Sequence, residues 1–402
     1  MLTVATPHPT VIPETGSLIT HLRCPECGKT YVATAVQTVC NNGTCNSSLF
    51  AEYKLDGTIS KEMLTGRPAN MWRYRELMPV IDTGNIVTLG EGFTPILPLQ
   101  NLQHIAGDIN VFIKDEAGNP TGSFKARGIG AAVSKAKELG IDTIVTPTAG
   151  NAGGALAAYA AKAGIKAIVY MPKLTPKLFK DECRLYGATL VEIDGSISDC
   201  GKLANEEALQ NGWFQVSTLK EPYRLEGKKT MGYEIAEQFN WQLPDVVLYP
   251  TGGGTGLLGI WKAFDEMERM GWIDSHRPRM VAVQSDSCNG IVKAFHREHS
   301  VSEFTDGGFT IANGLRVPKP YADKLILKVL RESQGNALSV SDADMEAALK
   351  EIARNEGMLI APEGAALWHA FKQLKASNWL HDGETVLLLN TGSGYKYLEN
   401  LS

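Results

Sequence analysis

The chain has 402 residues, more than one compact core usually holds, so two sub-domains and a small appendage are expected. Hydrophobic residues make up 44% of the sequence and charged residues 21%; such a composition is that of an ordinary globular protein and excludes extended disorder. The formal net charge of −5 argues against nucleic acid or an anionic membrane as a partner, so we expect the protein to bind a small molecule.

The amino-terminal segment does not have the pattern of a targeting signal. Met1 to Leu22 lacks the basic start and the continuous apolar stretch of a secretory signal. No apolar run reaches the roughly 20 residues that span a bilayer, so we expect a cytoplasmic protein. In that reducing compartment Cys183, Cys200 and Cys288 are expected to be buried or half-buried thiols without a role.

The other four cysteines form two closely spaced pairs, Cys24 with Cys27 and Cys40 with Cys45. Two such pairs can present four thiolates to one zinc ion, and four cysteine ligands leave no open position for catalysis. We therefore predict a zinc-ribbon-like segment over residues 20–55 whose metal is structural. An unmetallated relic of such a site is the second interpretation, and disulfides are the third.

Further along the chain, residues 56–90 show no clear period and are interpreted as a connecting segment. From Val111 onward, short runs rich in β-branched residues alternate with amphipathic stretches that end in glycine. The predicted strands are Val111–Lys114, Thr143–Thr146, Ala167–Tyr170, Thr189–Glu192, Asp245–Tyr249, Met280–Val283 and Thr385–Leu389, and the clearest predicted helices are Ala126–Leu139 and Leu257–Met270. Strands without polar alternation are buried on both faces, which favours parallel sheets covered by helices and hence an α/β fold.

Glycine-containing loops follow three of these strands, at the edge where open α/β sheets bind ligands. They are Thr148–Gly153, Thr251–Gly256 and Thr391–Gly394. The second loop leads into a helix, where successive N–H groups can converge on a phosphate. It is neither a Walker A motif nor a dinucleotide fingerprint, because no Gly-Lys-Ser/Thr closes it and Gln284 stands near the end of the next strand where an acid is needed. A tight turn that packs helix on sheet is the alternative.

Lys125 lies in the first turn of the predicted helix, with Thr121 or Ser123 as the expected cap. A lysine at a helix amino terminus is on the unfavourable side of the macrodipole, which lowers the pKa of its amine. The neutral amine is the form that attacks an aldehyde to form an imine. For a lysine considered alone, a solvated side chain is the alternative.

Several motifs in this order resemble those of the fold-type II enzymes that use pyridoxal phosphate (PLP), in particular the threonine synthases. Pro120–Lys125 (PTGSFK), Gly150-Asn151 and the glycine loop carry the resemblance to the fold type. Glu91–Pro95 (EGFTP) is similar to the family's Glu-Gly-Asn-Thr-Pro, and Pro222–Thr230 (PYRLEGKKT) to its Asn-Pro-x-Arg-x-Glu-Gly-x-Lys-Thr. The paired cysteines resemble its amino-terminal ribbon, so the likeness runs from about Leu22 to Lys396.

The resemblance implies a tryptophan synthase β-like fold with two three-layer α/β/α sub-domains and the ribbon as an amino-terminal extension. Residues 56–118 and 230–402 would form a large domain that binds the cofactor phosphate. Residues 119–229 would form a small domain that carries the lysine and the Asn loop. A homodimer is also implied.

The resemblance also assigns roles to individual residues. Lys125 would form the imine with PLP and later act as the base at the substrate Cα, and Asn151 would hydrogen-bond the phenolic oxygen of the ring. Thr391 would face the pyridine nitrogen, and the cofactor phosphate would be held by the N–H groups of Gly252, Gly253, Gly254, Thr255 and Gly256. Arg224 would bind a substrate phosphate, with a surface or domain-bridging ion pair as the alternative. Thr148 and Ala149 would lie near the substrate carboxylate.

The implied reaction converts O-phospho-L-homoserine and water to L-threonine and phosphate. The sequence departs from the family pattern at Ala126, in the stretch Ala149–Ala152 and in Gly252–Gly256, and this glycine loop is more similar to dehydratases and cysteine synthases of the same fold. A serine/threonine dehydratase, a diaminopropionate ammonia-lyase and a cysteate-synthase-like β-replacement enzyme are therefore alternatives. A non-catalytic PLP-fold or zinc-ribbon binding protein is an alternative of another class.

Overall fold

The structure is a computed structural model, and it describes residues 16–305 and 307–400. The expectation for Met1 to Leu22 therefore lies largely outside the described residues. The strands are β1 Ile19–Arg23, β2 Thr30–Tyr31, β3 Phe50–Tyr53, β4 Ile96–Pro98, β5 Asn110–Asp115, β6 Thr143–Pro147, β7 Lys166–Pro172, β8 Thr189–Ile193, β9 Phe214–Gln215, β10 Val246–Pro250, β11 Arg279–Ser285, β12 Asn336–Val340 and β13 Thr385–Asn390.

The helices follow the same chain order. They are α1 Gln103–Ala106, α2 Lys125–Glu138, α3 Asn151–Ala163, α4 Lys177–Leu185, α5 Ile197–Asn211, α6 Tyr223–Gln238, α7 Thr255–Arg269, α8 Gly290–His296, α9 Asp323–Glu332, α10 Asp342–Glu356 and α11 Pro362–Ala376. In the part of the chain that the structure describes, no helix has the length and apolar character needed to cross a bilayer.

Two sheets of parallel strands form the body of the molecule. The larger has the order β12-β11-β10-β13-β5-β4, in which only β4 runs antiparallel to its neighbour. The smaller has the order β8-β7-β6-β9 and is parallel throughout. The predicted α/β fold is confirmed.

Helices cover both sheets because the central strands are apolar on both faces. In the smaller sheet Val145, Ile168 and Tyr170 pack against α5, while the alternate residues of β6 and β7 join the main core with α3. In the larger sheet α11 packs on β10, β11 and β13, and α8 and α9 pack against β11 and β12. Strands β10, β11 and β13 are buried almost throughout.

Helix α6 is the central helix of the fold, since every residue from Tyr223 to Ala236 is buried. It packs on both α2 and α7. Its approach to α2 is close: a Cβ on Gly227 would lie 2.1 Å from the carbonyl oxygen of Arg127, and one on Gly128 would lie 2.7 Å from that of Arg224. Glycine at these two positions therefore sets the distance between the helices.

A buried ion-pair network connects α2, α6 and the region around β5. Arg127 Nε lies 2.6 Å from Glu116 Oε2, and Arg127 Nη1 lies 2.5 Å from Glu234 Oε1. Lys114 Nζ lies 2.9 Å from Glu234 Oε2. Burial would raise the pKa of Glu234, but Arg127 and Lys114 lower it to about 2, so the carboxylate stays ionised inside the fold.

The amino-terminal segment forms a small antiparallel sheet of order β2-β1-β3. It contacts the body through Ser48 Oγ, which donates to the carbonyl of Leu219 at 2.6 Å, and through Tyr53 Oη, which donates to Glu226 Oε2 at 2.9 Å. The connecting segment that follows has short 3-10 turns, and its residues 71–80 are buried. The predicted boundary between residues 229 and 230 falls inside α6.

Candidate active site

One cavity of about 320 Å³ lies at the carboxyl ends of both parallel sheets. The loops after β6, β10 and β13 line it, together with the amino-terminal turns of α2, α3, α7 and α11. Ten of the eleven residues predicted to bind cofactor or substrate line this cavity; they are Lys125, Thr148, Ala149, Asn151, Arg224, Gly252, Gly253, Gly254, Thr255 and Thr391. The eleventh, Gly256, does not line it, and a Cβ there would lie 2.0 Å from Tyr249 Oη.

Lys125 is the first residue of α2, as the sequence predicts, and Ser123, one of the two predicted caps, accepts a hydrogen bond from Lys125 N through its Oγ at 3.4 Å. Phe124 precedes the helix without a capping side chain. Phe124 N donates instead to the carbonyl of Thr391 at 3.0 Å, and Ser123 pairs with Gly392. The helix start is therefore held by the segment after β13, which brings Lys125 and Thr391 to the same cavity.

The amine of Lys125 is adapted for nucleophilic attack. Burial, and after it the positive charge of Arg224, lowers the pKa of Lys125 to about 7, while Glu363 opposes the shift. The main cause is therefore desolvation rather than the helix dipole invoked from the sequence. About half of such amines are neutral at neutral pH.

The glycine loop connects β10 to α7 in a way that places N–H groups at the cavity. Gly254 has a φ of +73° and precedes the helix, which begins at Thr255. A Cβ on Gly254 would lie 2.2 Å from Ile326 Cδ1, and one on Gly252 would lie 2.0 Å from the carbonyl oxygen of Gly314. Gln284 supports the loop, because its Nε2 donates to the carbonyl of Thr251 at 3.1 Å.

Asn151 begins α3 and belongs to a short hydrogen-bond chain. Its Nδ2 donates to Tyr397 Oη at 3.3 Å, and Tyr397 Oη donates to Glu363 Oε1 at 2.9 Å. Gly314 N also donates to Glu363 Oε1, at 2.7 Å. Burial raises the pKa of Glu363. The chain fixes the Asn151 amide and leaves one of its N–H groups for a ligand.

Arg224 and Lys228 lie one helical turn apart on α6 and both face the cavity. Arg224 Nη1 donates to the carbonyl of Val216 at 3.2 Å. In the described residues its guanidinium has no carboxylate partner, because Glu221 accepts the backbone N–H groups of Tyr223 and Arg224 instead. The ion pair considered as an alternative for Arg224 is therefore not seen in this part of the chain.

Several polar atoms around the cavity are buried without a hydrogen-bond partner. They are Asn151 Oδ1, Ser217 Oγ, Arg224 Nε, Lys228 Nζ, Asn313 Nδ2 and Glu363 Oε2. Buried polar groups are normally paired, so this concentration of free donors and acceptors is typical of a binding site for a polar ligand.

Comparisons with known proteins identify the family of the chain. The family described as pyridoxal-phosphate dependent enzyme matches residues 87–392. Threonine synthase of Methanocaldococcus jannaschii is 34% identical over 93% of this chain and 92% of its own length, and that of Methanosarcina acetivorans is 34% identical over 92% and 91%. The chain belongs to the threonine synthase family of PLP-dependent enzymes.

Solved structures show the same fold. Maize serine racemase matches with a TM-score of 0.68 at 21% identity, covering 83% of this chain and 99% of that one. A fungal L-serine ammonia-lyase from Rhizomucor miehei matches with a TM-score of 0.65 at 24% identity, covering 77% and 96%. At this level of identity the likeness concerns the architecture alone, and it places the chain among fold-type II enzymes.

The side chains and N–H groups that line the cavity are chemically suited to bind PLP. A buried amine of low pKa suits the cofactor aldehyde. N–H groups at the start of the 15-residue helix α7 suit its phosphate. The free N–H of Asn151 suits the oxygen on its ring. The residues present therefore match the aldehyde, the phosphate and the ring oxygen of the cofactor.

Among the cavity residues that the sequence did not predict are Lys228, Glu363 and Tyr397. Lys228 could have been found, since an (i, i+4) spacing from Arg224 puts both on one helix face. Glu363 and Tyr397 gave no local signal, because an acid in the first turn of a helix and a tyrosine near the end of a chain are ordinary features.

The four clustered cysteines come together as predicted from their spacing. Their Sγ atoms all lie within 4.8 Å of one another, with Cys24 to Cys45 at 3.6 Å and Cys27 to Cys40 at 3.5 Å. These four cysteines, together with Cys183, Cys200 and Cys288, are free thiols, and the last three are buried.

Proposed function

We propose that the protein is a threonine synthase that converts O-phospho-L-homoserine and water to L-threonine and phosphate. The proposal rests on three groups that line one cavity: the Lys125 amine, the glycine loop, and the Arg224 guanidinium, whose Nε has no hydrogen-bond partner. The first two suit the cofactor, and the third suits a second anionic group, which a phosphorylated substrate provides.

Bound PLP supplies an electron sink that stabilises negative charge on the substrate carbons. Lys125 anchors the cofactor aldehyde through Nζ, and as a neutral amine it can accept the proton from the substrate Cα. Gly252, Gly253, Gly254 and Thr255 bind the cofactor phosphate through their N–H groups. This assignment leaves out Gly256, whose side of the helix faces Tyr249.

The remaining predicted residues orient the reactants. Asn151 donates to the oxygen on the cofactor ring, and Thr391 faces the ring nitrogen with a hydroxyl, which does not hold that nitrogen protonated as a carboxylate would. Arg224 binds the substrate phosphate, whose geometry matches the guanidinium fork. Thr148 and Ala149 lie beside the substrate carboxylate.

The test is a set of product assays on the purified holoenzyme. With O-phospho-L-homoserine, wild type should release phosphate and threonine in equal amounts. Lys125→Ala should lose this activity and the long-wavelength absorption of the lysine-bound cofactor, while Lys162→Ala, on the exposed side of α3, should keep both. Pyruvate or 2-oxobutyrate from serine or threonine, without turnover of the phosphoester, would favour a dehydratase and refute the proposal.

A structural zinc ion held by Cys24, Cys27, Cys40 and Cys45 is a second part of the proposal. Four thiolates bound tetrahedrally at about 2.3 Å from zinc lie about 3.8 Å apart, close to the 3.5 and 3.6 Å found within two of the pairs. Metal analysis should give one zinc per chain, and Cys24→Ser should lower that content. A metal-free wild type would refute this part.

We also propose that the protein is a cytoplasmic homodimer and that residues 56–118 with 230–402, and residues 119–229, form its large and small domains. Seven free thiols suit a reducing compartment. Light scattering on the purified protein tests the dimer, and limited proteolysis tests the domain division.

A further inference from the structure

Lys228 differs from the other buried lysines of the described chain. Four lysines between residues 16 and 400 are buried: Lys114, Lys135, Lys228 and Lys229. Lys114 pairs with Glu234, Lys135 with Glu138, and Lys229 with both Glu226 and Glu266. Lys228 is 1% exposed and its Nζ has no hydrogen-bond partner.

The neighbours of Lys228 Nζ are an aromatic ring and two basic side chains, which do not accept a hydrogen bond from it as a carboxylate would. The Phe124 ring centroid lies 3.3 Å away, and Lys125 Nζ lies 4.2 Å from the same ring. Burial, followed by the charges of Lys125 and Arg224, lowers the pKa of Lys228 well below its ordinary value. A buried amine without a hydrogen-bond partner destabilises a protein unless a ligand pairs with it, so the position is explained best by binding.

The charge of the residues around the cavity indicates which kind of ligand Lys228 would bind. The basic residues that line it are Lys125, Arg224, Lys228, Lys220, Arg316 and Lys319, whereas Glu363 is the one acidic residue among the described lining residues. The glycine loop accounts for the cofactor phosphate without any of these side chains. The surplus positive charge therefore calls for a second anion.

We propose that Lys228 is a further substrate-binding residue, whose Nζ binds the substrate phosphate beside the Arg224 guanidinium and increases the preference of the site for the phosphorylated amino acid over its hydroxyl counterpart. The inference deepens the proposed function and rests on it for the identity of the substrate. A bound dianion favours the protonated form of Lys228. The ammonium group then adds a point charge beside the planar guanidinium fork of Arg224. Both cations also stabilise the phosphate when it leaves with the electron pair of the broken C–O bond.

The test uses the holoenzyme with inorganic phosphate as the probe. Lys228→Met removes the amine and keeps the length of the side chain, whereas Lys228→Arg keeps a basic group. Lys162→Met is the control for the loss of an exposed lysine. Lys228→Met should weaken phosphate binding, measured by calorimetry, and raise the KM for O-phospho-L-homoserine, each by about tenfold or more, since it loses a hydrogen bond between charged groups. Lys228→Arg should retain most of the binding.

Thermal unfolding gives a readout that a merely structural lysine would not produce. Without phosphate, Lys228→Met should melt at or above the wild-type temperature, because an unpaired buried amine has been removed. At the same phosphate concentration, the melting temperature of wild type should rise more than that of Lys228→Met. A structural role would instead lower the midpoint of the variant with and without phosphate.

Two outcomes distinguish a wrong role for Lys228 from a wrong proposed function. Unchanged phosphate affinity in Lys228→Met, together with weaker binding of PLP, would assign the amine to the cofactor and overturn the inference. A wild type that binds phosphate through Lys228 but makes no threonine from the phosphoester would refute the proposed function and leave the anion site standing.

Discussion

The apoenzyme should combine with PLP at a rate that rises with pH around a midpoint near 7. The reason is the low pKa of Lys125, which burial and the neighbouring Arg224 reduce from 10.5 to about 7. At pH 7 about half of such amines are neutral, compared with about 3 in 10,000 for a lysine of ordinary pKa. The structure therefore gives this amine roughly a thousandfold kinetic advantage over a surface lysine at neutral pH.

Two variants test the cause of the shift, because they change the surrounding charge in opposite directions. Arg224→Met removes a positive charge, so the pKa of Lys125 should rise and the midpoint should move to higher pH. Glu363→Gln removes a negative charge and should move the midpoint to lower pH. Stopped-flow absorbance of the apoenzyme mixed with PLP measures the rate at each pH. A wild-type midpoint above pH 9, or variant shifts of the same sign, would refute the electrostatic reasoning.

Three further predictions concern stability. Arg127→Met should reduce the free energy of unfolding in urea by about 3–5 kcal/mol, since Glu116 and Glu234 are left buried without their partner; Arg127→Lys should lose less, and equal losses would show that the charge is unimportant. Gly254→Ala should cost more than about 1 kcal/mol and weaken PLP binding, because its φ is positive and Ile326 fills the space of a Cβ; a neutral effect in thermal unfolding would contradict the loop geometry. A zinc chelator should lower the melting temperature of wild type and leave Cys24→Ser unaffected, and an identical response of the two proteins would refute a structural metal.

Much of the fold could be predicted from the sequence because the central strands have a clear apolar pattern. The runs that became β10, β11 and β13 are apolar throughout, since helices cover both of their faces. Strand β12 was missed because Asn336 and Ser339 are only half-buried, and its pattern is therefore not a continuous apolar run. The two-residue strand β9 is too short to give any pattern.

The candidate site was predictable where its residues lie in one continuous motif, as around Lys125 and in the glycine loop. The site was not predictable where its residues come together from distant parts of the chain. Tyr397 accepts from Asn151 across 246 residues of the chain, and Glu363 accepts in turn from Tyr397. The position of the start of α2 has the same origin, because the segment after β13 pairs there with Ser123 and Phe124.

The burial of α6 has a consequence for how the protein moves. Its backbone amides from Tyr223 to Ala236 are shielded on every side, so their hydrogens should exchange with solvent only when the whole molecule opens. Arg224 and Lys228 are thus carried by one of the most rigid parts of the chain and are preorganised before any ligand arrives. We therefore expect the motion that admits and releases small molecules to occur in the loops that line the cavity, such as residues 313–321. The helix itself stays still.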